Sequence, residues 1–128
     1  MKRAALLALM VLYPASCMAT TTGDFVAKWE ELRKNPDHLS AQDFGQRPDV
    51  QSFIHEFGDA ASTLRKKLDD AKSHNQPVDI CPPHEVKLGI DAILTDARAL
   101  PAAWQSRPFA DSFAQIMKNH YPCPAPAP

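Results

Sequence analysis

Two cysteines, Cys81 and Cys123, are the residues of this chain whose type and placement most directly suggest covalent chemistry. Cys81 stands in Ile80-Cys81-Pro82-Pro83 and Cys123 in Tyr121-Pro122-Cys123-Pro124. A thiolate can ligate metal or exchange with disulfides, but the paired spacing of redox and zinc motifs is missing. Between the two lie helix-period segments separated by a Pro-bounded turn. Antiparallel rods joined by a short turn bring their outer ends together, so the two sulfurs would meet. The reading is a structural disulfide in an oxidising compartment. Closing a loop of about 43 residues adds roughly 4 kcal/mol in the chain-entropy model.

Other reactive side chains are more dispersed. His55 and Asp59 sit four apart on a helical segment, with Glu56 adjacent, a spacing that could seat a metal edge-on but that also suits a solvated helix face. His84-Glu85 follows Cys81; it either touches a partner or begins a helix with an acid near the positive end of the dipole. His38, His74 and His120 have no sequence-local partner. Arg65-Lys66-Lys67 and Asp69-Asp70 read as an i,i+3 and i,i+4 charge lattice, with a binding role the less favoured alternative. Trp29 falls on an apolar helix stripe and reads as core. Trp104 and Arg107 flank a turn and are the candidate partner-binding residues, because aromatics and Arg are enriched at interface hot spots; a Trp closing a small core is the alternative. No nucleophile elbow, HExxH, phosphate loop or paired-acid motif is present. The chain therefore reads as a binding protein, not an enzyme, with no cofactor and no metal.

The elements that must position these residues are helical. Glycine is scarce, with 4 residues, and the 12 prolines fall mainly between periodic segments, where they punctuate helices. Helix 1 is expected from Asp24 to Lys34, capped by Thr22 or Asp24, with Phe25, Trp29 and Leu32 on one face. Asn35 to Arg47 reads as a loop with a short turn at Ser40–Asp43. Helix 2 opens at Pro48, which suits a first turn. Its stripe is Val50, Phe53, Ile54, Phe57, Ala61, Leu64 and Leu68, and it ends near Lys72. Gly58, unfavourable by about 1 kcal/mol in a helix interior, fits either a close helix crossing or simple tolerance at a loose position. Helix 3 begins between Pro83 and Leu88 and ends near Leu100, with Val86, Ile90, Ile93, Ala97 and Leu100 as its stripe. Helix 4 starts near Pro108 with Ser106 as N-cap and buries Phe109, Phe113, Ile116 and Met117. The expected fold is all-α: one small bundle of about four helices, closed by a stapled C-terminal hairpin. Residues 20–47 form an N-terminal helix and loop, 48–124 the main helical domain, and 125–128 an extended Pro/Ala tail.

The amino terminus sets the compartment. Lys2-Arg3 precedes an apolar run from Ala4 to Tyr13, too short to span a bilayer but right for a signal-peptide core. Cys17-Met18-Ala19 places small residues for cleavage before Thr20. Residues 1–19 are thus read as a signal peptide and the protein as periplasmic. Lipid anchoring at Cys17 is the less favoured alternative, because Pro14 stands where lipoprotein processing prefers a branched apolar residue. Without Lys2 and Arg3, the 14 basic residues become about 12, against 15 acidic. That balance lacks the basic face of a nucleic-acid binder. No later stretch is apolar enough for stable membrane insertion.

The second half resembles a known family. The run Cys81-Pro82-Pro83 through Val86-Lys87-Leu88-Gly89-Ile90 leads into an aliphatic helix and a Pro-bounded turn to Phe109-Ala110. It closes with Tyr121-Pro122-Cys123-Pro124. This order is similar to the Rap/Tai family of immunity proteins against type VI secretion amidase effectors. Phe53-Ile54-His55-Glu56-Phe57-Gly58-Asp59-Ala60 is similar to the family's upstream helix, with Glu56 in place of its usual Gly. The chain lacks the further cysteine pair that many relatives carry. The resemblance implies a secreted helical protein that often forms a homodimer and inhibits a peptidoglycan amidase by occluding its cleft. A periplasmic helical chaperone or envelope stress protein is the alternative function.

Overall fold

The structure, a computed structural model, describes residues 19–125. The signal-peptide reading, Cys17 included, and the last three residues of the tail lie outside that range. The fold is all-α, with six helices among the described residues: α1 (Thr22–Arg33), α2 (Ala41–Gln46), α3 (Pro48–Ser73), α4 (Ile90–Ala99), α5 (Ala102–Gln105) and α6 (Phe109–His120). The four expected helices correspond to α1, α3, α4 and α6. The other two are short and contribute no buried residue.

Local chemistry fixes the ends. Thr21, not Thr22 or Asp24, caps α1: its hydroxyl accepts from the Asp24 N–H at 3.2 Å, satisfying an otherwise unpaired helix donor. Ser40 does the same for α2, accepting from the Asp43 N–H at 3.1 Å. Pro48 opens α3 at the first helical position, where its missing N–H is harmless. α3 stops at a left-handed residue, Asn75, with φ 53°. There the Gln76 N–H reaches the Ala71 carbonyl and the Asn75 N–H the Lys72 carbonyl, the paired bonds that close many helix C-termini. α4 starts only at Ile90, after Gly89, so Val86 lies outside it and is 41% exposed. α6 is preceded by Pro108, not Ser106, because Ser106 belongs to the turn that ends α5.

The core is an aromatic column joining α1, α3 and α6. Phe25 stacks on Phe53 at 4.3 Å and on Phe109 at 4.0 Å. Trp29 extends the column beyond Phe53, and Phe57 meets Phe113 edge-on at 5.7 Å. Each such pair contributes about 0.5–1.5 kcal/mol beyond simple burial. Val50, Leu64, Ile93, Leu94, Ala97, Ile116 and Met117 pack around it. Ile54, expected on the α3 stripe, is 42% exposed, since its neighbour Phe53 already takes the inward direction on that turn.

α1 is pinned at its start. The Thr22 N–H donates to the Arg107 carbonyl at 2.8 Å and the Phe109 N–H to the Thr20 carbonyl at 3.0 Å. The Thr22 hydroxyl donates to the same Arg107 carbonyl at 3.1 Å. Close approach here needs Gly23, whose missing Cβ would sit 3.3 Å from the Gln105 carbonyl oxygen. Gly58, by contrast, faces open space, which fits the tolerance reading and not a close crossing. The Gln105 side-chain amide in turn donates to the Ala97 and Leu100 carbonyls where α4 ends, Ala97 also accepting from the Leu100 N–H.

Candidate functional site

The cysteine pair organises one end of the molecule. Cys81 and Cys123 form a disulfide with Cα atoms 4.8 Å apart. A short antiparallel backbone pairing surrounds it: Ile80 faces Pro122, the Cys81 N–H donates to the Tyr121 carbonyl at 2.8 Å and the Cys123 N–H to the Asp79 carbonyl. Lys118 Nζ closes the same corner, 2.8 Å from Asp79 Oδ2. Hydrogen bonding from Lys118 holds the Asp79 carboxyl below its ordinary value of 3.8.

From this staple the chain runs through Pro82–Gly89 with no buried residue. One end of the segment is fixed by the disulfide. The other is fixed by Leu88, half-buried against the core, and by the Gly89 carbonyl, which accepts from the Ile93 N–H. Between them His84, Glu85, Val86 and Lys87 are exposed. Pro82 and Pro83 fix two φ angles, so the segment is constrained although it contributes nothing to the core. His84-Glu85 therefore lies in a loop and not at the start of a helix.

Next to this loop, on the α1 side of α4, lies a groove of about 410 Å³ lined by Trp29, Arg33, Asn35, Leu39, Phe44 and Asp91, with Ala41 at its edge. Trp29 Nε1 donates to Asp91 Oδ1 at 2.9 Å. Arg33 stands 3.7 Å from the same oxygen. The wall formed by Asn35–Leu39 is built from its own hydrogen bonds: the Asn35 side chain donates to the Leu39 carbonyl at 2.9 Å and accepts from the Leu39 N–H at 3.2 Å. Asn35 and His38 both adopt positive φ, 42° and 51°. Asn and His are among the non-glycine residues that adopt this conformation most readily, and at Asn35 it closes α1, the Asn35 N–H donating to the Leu32 carbonyl. A second, smaller hollow of about 260 Å³ lies between α4 and α6, lined by Leu100, Ile116, Asp96 and His120. His120 Nε2 and Asp96 Oδ2 are 2.6 Å apart. A histidine oriented by a carboxylate is one part of a nucleophilic triad, but none of the lining residues is a Ser, Thr or Cys.

The remaining residues singled out by sequence fall elsewhere. Trp104 and Arg107 are brought together, the guanidinium carbon 4.3 Å from the ring centre. They sit beside the start of α1, about 15 Å along that helix from the Arg33 end at 1.5 Å per residue. His55 Nε2 and Asp59 Oδ2 meet at 3.5 Å on a face where their side chains are 81% and 68% exposed. Among the described residues no group of three His, Cys, Asp or Glu side chains could hold a metal ion. Trp29 is half-buried: one part joins the core column and another lines the groove. Its hydrogen bond to Asp91 and the His120–Asp96 pair span 62 and 24 positions, so no local pattern announces them. Phe44 was hidden inside a stretch too short for a periodic stripe.

Among the described residues no helix is long and apolar enough to cross a membrane. Comparison with protein-family models, with curated proteins and with solved structures finds no match.

Proposed function

We propose that this chain is an exported, non-catalytic binding protein of the immunity type, which inhibits a peptidoglycan amidase by filling its cleft. The inhibiting element is the Pro82–Gly89 segment. The observation that carries this reading is a loop devoid of buried residues, yet anchored by a disulfide at one end and by Leu88 at the other. A segment held in shape before contact loses little conformational entropy on binding, which is what a steric inhibitor needs. Val86, 41% exposed, supplies an apolar tip, and His84, Glu85 and Lys87 supply polar contacts around it. The resemblance of residues 81–124 to the Rap/Tai pattern names the class of target. Export to the periplasm agrees with the disulfide, which persists in oxidising compartments.

The test is protection of living cells. A Cys/His amidase from the same genome, directed to the periplasm, lyses its host; coexpression of this chain is expected to restore growth and to yield a copurifying complex. Val86→Asp with Glu85→Lys is expected to abolish protection while the melting temperature stays unchanged. Full protection by that double variant, or failure to protect against any such amidase, overturns the reading.

A second reading, an acid-opened periplasmic chaperone, draws on the Lys118–Asp79 contact beside the staple, which acid would break. It requires the aromatic core to bind a hydrophobic dye at pH 2–3. The immunity reading requires the stapled body to remain compact there.

A further inference from the structure

We propose that the groove between α1 and α2 binds a free α-amino acid with an apolar side chain, its carboxylate on Arg33 and its ammonium on Asp91. This site is separate from the loop invoked for amidase inhibition and does not depend on that reading. Two observations carry it. First, the groove has the size of small-ligand sites, which run from about 300 to 1,000 Å³, at about 410 Å³. Trp29, Leu39 and Phe44 give it an apolar lining. Second, opposite charges stand at the same groove with hydrogen-bonding capacity to spare. The ion pairs divide into closed ones, such as Arg47–Asp49, Arg98–Glu30, Lys118–Asp79 and His120–Asp96 at 2.6 to 2.8 Å, and open ones, Lys28–Glu56 at 3.6 Å and His55–Asp59 at 3.5 Å. Arg33 and Asp91 stay 3.7 Å apart, beyond hydrogen-bond distance. Arg33 donates no side-chain hydrogen bond among the described residues, and Asp91 Oδ2 accepts none; the indole occupies only Oδ1. A guanidinium fork left open in this way matches a carboxylate, and a carboxylate with a free oxygen matches an ammonium.

An α-amino acid presents both charges on one carbon with an apolar group beside them. Its carboxylate would extend toward Arg33 and its ammonium toward Asp91 Oδ2, leaving the indole hydrogen bond to Oδ1 in place. The side chain would lie against Trp29, Leu39 and Phe44.

Trp29 is its own reporter. The chain has 2 tryptophans, so Trp104→Phe leaves Trp29 as the only indole. In this variant, titration with L-leucine is expected to give a saturable change in fluorescence, with the same affinity found by calorimetry on the full two-tryptophan protein. N-acetyl-L-leucine, which lacks the positive charge, and L-leucinamide, which lacks the negative one, should each bind at least tenfold more weakly. Arg33→Gln should lose at least tenfold for L-leucine while Lys34→Gln changes nothing. Asp91→Asn should do the same as Arg33→Gln; if its melting curve shows loss of folding, Leu39→Asp, which places a charge in the apolar lining, takes its place. Absence of saturable binding by L-leucine, L-phenylalanine and L-methionine, or equal binding of the blocked and free forms, overturns the proposal.

Discussion

Thr22 Oγ1 lies 2.6 Å from Ser112 Oγ, with both residues fully buried, joining the first turn of α1 to α6 across 90 positions. A buried hydroxyl left without a partner is unfavourable by about 1–3 kcal/mol. Thr22 also donates to the Arg107 carbonyl, so the two residues are not equivalent. Thr22→Val strands the Ser112 hydroxyl and should destabilise by about 1–3 kcal/mol. Ser112→Ala leaves Thr22 a partner and should destabilise less. The double variant should fall short of the sum by at least ~0.5 kcal/mol. Urea denaturation of the four proteins checks this; strict additivity would show that the two hydroxyls are uncoupled.

The Cys81–Cys123 bond should be a main source of stability. In the chain-entropy account a loop of this length contributes about 4 kcal/mol, and native disulfides removed from small domains typically lose 2–5 kcal/mol. Replacing both cysteines by Ser should lower the melting temperature by about 10 °C or more, at roughly 4–8 °C per kcal/mol. The same drop should appear when the unaltered protein is melted under reducing conditions. Equal melting curves with and without reductant would refute it.

Gly58 is exposed inside α3, and an added Cβ would meet nothing within 4 Å. Gly58→Ala should therefore stabilise by about 0.5–1 kcal/mol, through helix propensity and the smaller entropy of the unfolded chain. The control is Gly23→Ala. There the new methyl would press on the Gln105 backbone, and thermal melting should show no comparable gain.

Acid should weaken the staple corner. The Lys118 hydrogen bond lowers the Asp79 pKa from 3.8, so the folded state favours the ionised carboxylate more than the unfolded chain does. The stabilisation is complete above the unfolded value and disappears as pH falls through the lower folded one. Denaturation midpoints should thus decline below about pH 4, and less steeply in Asp79→Asn. Asp49 behaves alike: the hydrogen bond from Arg47, closed by a contact of 2.6 Å, lowers its pKa as well. An Asp79→Asn variant with an unaltered acid limb would show that this contact does not form in solution.

The parts of the fold legible in sequence are those where a long apolar stripe meets a proline. α3 is bounded by Pro48 and carries enough turns for its stripe to stand out. The α4–α6 hairpin is announced by Pro101, Pro108 and Pro122, and its staple follows from geometry. α2 escapes because its 6 residues complete fewer than two turns and bury nothing, so no periodicity develops. Val86 sits at a spacing that fits the α4 stripe, yet the helix begins at Ile90, and pattern alone does not show where backbone bonding starts. Glycine is ambiguous in the same way: Gly58 fits a close crossing or simple tolerance and faces open space, whereas the approach occurs at Gly23, whose neighbour Gln105 is 82 positions away. The groove is the least legible part, because its walls come from α1, the Asn35–Leu39 segment, α2 and the first turn of α4.

The clamp between Thr20–Thr22 and Arg107–Phe109 imposes an order in time. The earliest residues of the described chain to leave a ribosome or a translocation channel have their partners among the latest. α1 thus waits, its Phe25 side uncovered, until α6 has emerged, and bridging of residue 81 to residue 123 waits with it. Vectorial synthesis of such a chain delivers a loose thread first and a finished body only after the final helix is released.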